Sequence, residues 1–332
     1  MILLRIFKNN RLGGMAGMLL LIVGVFLYSF IRDFSGEGAS LVTQHQGMPF
    51  YQLIFGAIHT VPLVNHLSAM LLMVLISMML IRIGIRDQLL EQRSLMPGFF
   101  FILFAAAIPE ARQVSPALVG SVFYLLCFAI LFEVHDKKPD TYSIFAAALW
   151  LALGSMFCLK LIWFIPLMWA GLRTMRPVTW REIVYPVVAY MLLALFLFTW
   201  YWGVMGKGEV FVQVVSRNLA FTGGLAPYHF SVYVLYGYML LLVLVTSMYM
   251  IRRFQTRKTL LQNIYQVMFY MFLAGILFYA LVARFDPSSL VFIALPVSYV
   301  LSNFFHRKRN PWTHELALWI LVWLVVYVQI IA

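Results

Sequence analysis

Acidic residues are scarce in this chain, 12 in 332 positions, and a few of them keep unusual company. Asp33 and Glu37 follow the first apolar run. Glu110 and Arg112 share the proline-bounded stretch Pro109-Glu110-Ala111-Arg112-Gln113-Val114-Ser115-Pro116. Lys160 stands among apolar residues in Cys158-Leu159-Lys160-Leu161-Ile162-Trp163, and Arg284 opens Arg284-Phe285-Asp286-Pro287. An ionisable group beside hydrocarbon is costly and persists only if it is paired, wetted or used. The chemistry these types allow is specific. A carboxylate such as Asp33 can take a proton from a hydroxyl as a general base. The planar fork of an arginine suits phosphate oxygens, and a lysine adds a second cation for the same anion. Each residue also has a plainer reading. Asp33 can pair with Arg32, Glu110 and Arg112 can cap adjacent helix ends, Lys160 can snorkel to the interface, and Asp286 can neutralise Arg284. His59 and His66 can reach the same region, although a lone histidine in a membrane protein is more often a hydrogen-bonded packing residue. Arg217 and His229 are weaker candidates.

The elements that must position these residues are membrane helices. The chain is 63% hydrophobic with a mean hydropathy of +0.90. Apolar runs of about 17–25 residues are the length of a bilayer crossing. The pattern predicts an all-α, multi-pass transmembrane helical bundle of about eleven segments: 15–31, 61–81, 98–108, 116–132, 142–157, 160–172, 183–203, 231–251, 264–283, 289–305 and 315–331. Several are short for a full crossing, so 98–108 with 116–132 and 142–157 with 160–172 can be hairpins entering from one face. With a cytoplasmic N-terminus, 18 of the 24 Lys and Arg residues fall on the cytoplasmic side, leaving Arg32, Arg112, Lys160, Lys207, Arg217 and Arg284 outside. That bias favours the N-in, C-out orientation. Two outer loops are long. The first, 32–60, carries an expected amphipathic helix at Pro49–Phe55; the second, 204–230, contains the turn-rich Phe221-Thr222-Gly223-Gly224-Leu225-Ala226-Pro227. The chain divides on this reading into a module at 1–203 and C-terminal helices at 204–332.

Several function classes lose support at this stage. The net charge of +12 is spread as short clusters between apolar runs, the positive-inside pattern with some attraction to anionic lipid, so no nucleic-acid partner is expected. Cys127 and Cys158 lie in apolar segments and read as packing residues. No small-x-small cleavage site follows the first apolar run, which is expected to stay as a helix. There is no phosphate-binding Walker loop, no Gly-x-Ser-x-Gly elbow, no His-Glu-x-x-His and no Cys-x-x-Cys-His.

In layout the chain resembles the GT-C group of glycosyltransferases, multi-pass enzymes that use polyprenyl-phosphate-linked sugars. The likeness covers roughly 1–203, with an echo at 284–297. It rests on Asp33 at the start of the first outer loop, the amphipathic stretch 49–58, the short turn Pro109 to Pro116, and Lys137-Lys138-Pro139 followed by Ala146-Ala147-Ala148, Gly154-Ser155 and Lys160. Late in the chain, Arg284-Phe285 and Leu295-Pro296 resemble a basic-aromatic pair followed by an apolar run and proline. Two features depart from the group. Asp33 and Glu37 are four residues apart rather than adjacent or one apart, and no large soluble C-terminal domain lies within these residues.

The resemblance implies an inverting sugar transfer from a lipid-linked donor to an acceptor hydroxyl on the non-cytoplasmic face. Asp33 would be the base, with Glu110 as second catalytic acid. Arg112, Lys160, Arg284, Glu37 and His59 would bind substrate. No metal site is assigned, and Mg²⁺ or Mn²⁺ is the cation that carboxylates such as Glu110 would suit. The expected partners are the lipid-linked sugar, membrane lipid and proteins of an envelope complex, at the cytoplasmic (inner) membrane of a bacterium. Two other classes stay open: a transporter or flippase of a lipid or anionic solute, and a non-catalytic subunit of a cell-envelope complex.

Overall fold

A chain this apolar has to satisfy its backbone polar groups internally, and helices do so within one segment. The computed structural model of the protein describes residues 11–34, 48–90, 94–107, 112–134, 141–204, 206, 208–219, 230–253, 259–305 and 311–331, and among these there is no strand. The helices in chain order are α1 (Arg11–Phe34), α2 (Pro49–Phe55), α3 (Pro62–Arg86), α4 (Met96–Ala106), α5 (Pro116–Glu133), α6 (Thr141–Ser155), α7 (Ile165–Met175), α8 (Trp180–Thr199), α9 (Gly208–Leu219), α10 (Phe230–Arg253), α11 (Thr259–Leu277), α12 (Val291–Phe305) and α13 (Pro311–Ile331). Short 3-10 turns span Ile58–Thr60, Leu159–Phe164 and Pro287–Leu290, and α8 and α11 end in π turns at Trp200–Val204 and Phe278–Val282.

Proline starts many of these helices. Pro49, Pro62, Pro97, Pro116 and Pro166 each sit in the first turn, where the missing N–H costs nothing and the fixed φ already fits. α8 starts differently: the Glu182 carboxylate accepts from the Thr179 N–H at 3.0 Å and from Arg176 at 2.6 Å.

Among the described residues, seven segments are long and apolar enough to cross a membrane: Pro62–Arg86, Pro116–Glu133, Trp180–Gly203, Phe230–Met248, Leu260–Val282, Pro287–Phe305 and Trp312–Gln329. The protein is an integral-membrane helical bundle. Its centre is α4, buried on every side from Met96 to Ala105 and packed against α3 and α12. A helix apolar all round belongs in such a place. Around it, 72% of the 18-residue apolar stretch within 287–305 and 67% of 116–133 are buried, against 22% of the corresponding stretch within 180–203, so α12 and α5 are inner helices and α8 is peripheral. Because α4 (from the first half of the chain) packs against α12 (from the second), one apolar core runs through both halves.

Where described, each of the eleven expected apolar segments falls on helix, with shifts at the ends, but seven rather than eleven are long and apolar enough to cross a membrane. The stretch expected at 160–172 opens as the 3-10 turn Leu159–Phe164 before α7, where Pro166 favours a fresh helix start. The second long loop holds a helix, α9, not expected from the sequence, while the expected turn-rich stretch 221–227 lies outside the described residues.

Connections alternate between two ends of the bundle. At one end, Arg86 at the close of α3 reaches Glu133 and the Ala129 carbonyl at the close of α5. There too the Tyr265 hydroxyl donates to the Leu89 carbonyl at 2.6 Å and receives the Asn303 amide at 2.8 Å. The opposite end, here called the mouth, gathers the turns that carry the candidate residues.

Candidate functional site at the mouth of the bundle

The 112–115 turn is the best-anchored part of the mouth. The Arg112 carbonyl accepts from His66 Nδ1 at 2.7 Å, the Val114 N–H donates to Asn65 Oδ1 at 3.0 Å, and the Val114 carbonyl accepts from the Tyr51 hydroxyl at 2.8 Å. Ser115 then caps α5, accepting from the Leu118 N–H at 3.1 Å. Three sequence-distant pieces (α2, the first turn of α3 and this turn) are thereby tied together. Arg112 itself is buried at 7% exposure.

Tyr51 also fixes His59, whose Nε2 lies 2.8 Å from its hydroxyl oxygen. A tyrosine hydroxyl has one proton. With that proton given to the Val114 carbonyl, the oxygen can only accept, so His59 carries its proton on Nε2. Its Nδ1 is left as a bare acceptor, buried and without a hydrogen-bond partner among the described residues. Burial holds the His59 pKa below the ordinary histidine value, so the ring is neutral at pH 7. His66 has the opposite tautomer, because a carbonyl can only accept from its Nδ1. The ring of Phe26 on α1 meets the His66 ring at 6.4 Å. Position 33 lies seven residues beyond Phe26 on α1, on the same stripe of the helix and about 10 Å further toward the mouth.

The Lys160 turn joins from the side. Cys158 is pushed up to about 12 by burial, with Lys160 near enough to pull it down and Asp286 near enough to push it up. The tyrosine at 51 is raised by burial and, secondarily, by Cys158. Cys158 is thus within electrostatic reach of Tyr51, Lys160 and Asp286, and neither cysteine is in a disulfide. The turn can sit this low because glycines receive it. A Cβ on Gly120 would lie 3.0 Å from Leu161 Cδ1 and 3.1 Å from Cys158 Cβ, and one on Gly154 would lie 2.7 Å from Phe123 Cβ. Small residues at such positions let helices and turns approach closely.

Arg284 stands on a strained turn. Arg284 and Phe285 both have positive φ, 46° and 65°, a conformation that costs a non-glycine residue about 1–2 kcal/mol. Phe285 holds it by donating its N–H to the Tyr279 carbonyl at 3.0 Å and packing its ring edge-on to Tyr279 at 5.4 Å. Asp286 accepts from the Ser288 N–H at 3.1 Å and from the Ser288 hydroxyl at 2.9 Å, so its carboxylate caps the next turn. Arg284 is exposed, and Lys160 is half-buried.

A shared aromatic floor underlies the last two turns. Phe164 from the Lys160 turn lies 4.8 Å from Phe278, 5.2 Å from Phe292 and 4.8 Å from Tyr124, ring centre to ring centre. These rings belong to the 3-10 turn, the π turn, α12 and α5, and they fix the two cation-bearing turns to one base.

The sequence-predicted residues divide accordingly. Arg112, Lys160, Arg284 and His59 lie on turns gathered at the mouth. Asp33 ends α1 with its backbone described and its side chain outside the description, while Glu37 and Glu110 lie outside the described residues. Among the described residues no three His, Cys, Asp or Glu side chains gather to hold a metal ion. Sequence reasoning passed over Tyr51 and Asn65. Tyr51 was legible as the polar position in an aromatic run on an amphipathic helix, and Asn65 as an amide in the first turn of a long apolar helix.

Comparison with known proteins adds no relative: no family model, no curated protein and no solved structure matches the chain.

Proposed function

We propose that the protein is a GT-C-type glycosyltransferase working at the mouth, on the non-cytoplasmic side of a bacterial cytoplasmic membrane, with a polyprenyl-phosphate sugar as donor. One observation carries the reading: cation-bearing turns far apart in sequence, with Arg112, Lys160 and Arg284, gather at the same end of the bundle as the close of α1, which bears Asp33. A donor phosphate entering from the bilayer would meet the Lys160 and Arg284 turns above the aromatic floor. Asp33 takes the proton of the acceptor hydroxyl, whose oxygen attacks the anomeric carbon. The bond from that carbon to the phosphate oxygen breaks, with inversion, and the polyprenyl phosphate leaves with its charge met by the cations. Holding both substrates in line supplies much of the acceleration. The bare Nδ1 of His59 suits a hydroxyl donor on the sugar or the acceptor.

A flippase or transporter reading draws on the interrupted elements at Leu159–Phe164 and Phe278–Val282, since transporters build sites from broken helices. The test separates the two. Cells with wild type, Asp33→Asn or Arg284→Ala, at matched protein level, are compared for glycoconjugates and lipid-linked sugar. Transfer predicts that both variants lose product and accumulate donor on the non-cytoplasmic side. Donor held on the cytoplasmic side supports transport, and wild-type behaviour of both variants removes the mouth as a catalytic site.

A further inference from the structure

The basic end of the bundle, opposite the mouth, holds a feature that the proposed function does not use. Between α1 and α3 runs a groove of about 380 Å³, lined almost wholly by apolar side chains, with Met18 and Leu19 on one wall and Val74, Met78 and Ile85 on the other. That volume is in the range of small-molecule sites, about 300–1,000 Å³. Its length is informative. From Val74 to Ile85 is eleven residues of helix, about 16 Å at 1.5 Å per residue. One leaflet of a bilayer's hydrocarbon core is about 15 Å deep, half of roughly 30 Å. The groove has the depth of a single acyl chain in one leaflet.

Its charged end sets the headgroup. Arg82 and Arg86, one turn apart on α3, are both at its rim. Arg86 is committed to the protein. Its guanidinium donates to both oxygens of Asp87, to Glu133 and to the Ala129 carbonyl. Arg82 is exposed and makes no ion pair or hydrogen bond among the described residues. Two roles are thus divided between neighbours: Arg86 fixes the ends of α3 and α5, and Arg82 offers a fork to the groove. This end also carries most of the basic loops in the sequence, the side of a membrane where anionic headgroups are drawn to basic pockets between helices.

We propose that this groove binds one anionic phospholipid of that leaflet, an acyl chain lying against Met78 and Met18 and its phosphate on Arg82. The inference does not depend on the transferase reading.

The full-length protein is released from nanodiscs containing equal phosphatidylglycerol and phosphatidylethanolamine of identical chains, and retained lipid is counted by native mass spectrometry. Wild type is expected to keep one phosphatidylglycerol in preference by about fivefold, the attraction of one arginine for an anionic headgroup. Arg82→Gln brings the two lipids to parity, and Arg173→Gln, an exposed arginine on α7, leaves the preference intact. Met78→Trp, which fills the groove, lowers retention of both lipids. Equal retention by wild type, an unchanged preference in Arg82→Gln, or an equal loss in Arg173→Gln would overturn the site, because each makes the attraction absent or diffuse. Full retention in Met78→Trp would equally remove the groove as the place of binding.

Discussion

The two ends of this bundle use charge in opposite ways. At the basic end arginines do the holding: Arg86 joins α3 to α5, and Arg176 joins the end of α7 to Glu182 in the first turn of α8. At the mouth the turns that carry Arg112, Lys160 and Arg284 are held by other groups. Asn65, His66 and Tyr51 hold the first, the Gly120 and Gly154 seats with Phe164 hold the second, and Asp286, Tyr279 and Phe285 hold the third. The contrast is therefore in what anchors each end: guanidinium–carboxylate pairs at the basic end, and hydroxyl, amide, imidazole and aromatic contacts at the mouth.

The largest expected effect tests the floor. Phe164→Ala empties a fully buried ring position shared by four elements and should cost about 3–5 kcal/mol in thermal or denaturant unfolding in detergent. If the mouth turns were independently stable, the loss would be far smaller. Next is the seat of the Lys160 turn. Gly154→Leu forces a side chain into Phe123 and Leu161 and should cost about 1–3 kcal/mol, while Gly237→Leu, which meets nothing within 4 Å, should cost little.

The Arg284 turn sharpens the comparison further. Asp286→Ala removes a cap and should lower stability by about 1 kcal/mol. Arg284→Gly relieves a positive φ and should leave stability level or slightly raised, while abolishing turnover of the lipid donor. A fall in stability of the size seen for Asp286→Ala would make Arg284 structural.

His59 gives a pH signature. Its folded pKa is lowered, so the unfolded chain binds the proton more readily. The contribution is complete above the ordinary value of about 6.5 and is lost as pH falls below it, because protonation then favours opening. Protection against hydrogen exchange across 49–60, taken relative to the intrinsic rate at each pH, should fall between pH 7.5 and pH 5.5 in wild type and not in His59→Gln. The smallest effect belongs to the basic end. The Arg86 side chain is 34% exposed, and Arg86→Gln should cost only about 0.2–1 kcal/mol in unfolding, with donor turnover retained.

Much of the fold was legible because bilayer length and proline starts act locally. Pro62, Pro116 and the apolar runs behind them mark their helices, and α2 falls on the predicted Pro49–Phe55. α9 was hidden because Val210, Val212, Val214 and Val215 are β-branched and read poorly as helix, and because its polar positions blended with a turn-rich loop. Lys160 and Arg284 stood out as charges in apolar surroundings. What sequence could not convey was their shared base: Tyr124, Phe164, Phe278 and Phe292 look like ordinary membrane aromatics until packing brings them together. The tautomer of His59 likewise depends on a carbonyl 55 residues away, at Val114.

The most direct test of the account is a photoreactive polyprenyl phosphate added to purified protein in nanodiscs, with the labelled residues read by peptide mass spectrometry. The account predicts labelling concentrated on 159–164 and 278–290 and strongly reduced in the double variant Lys160→Ala, Arg284→Ala. Labelling spread evenly over the lipid-facing surfaces of α8 and α13, and indifferent to that variant, would contradict it.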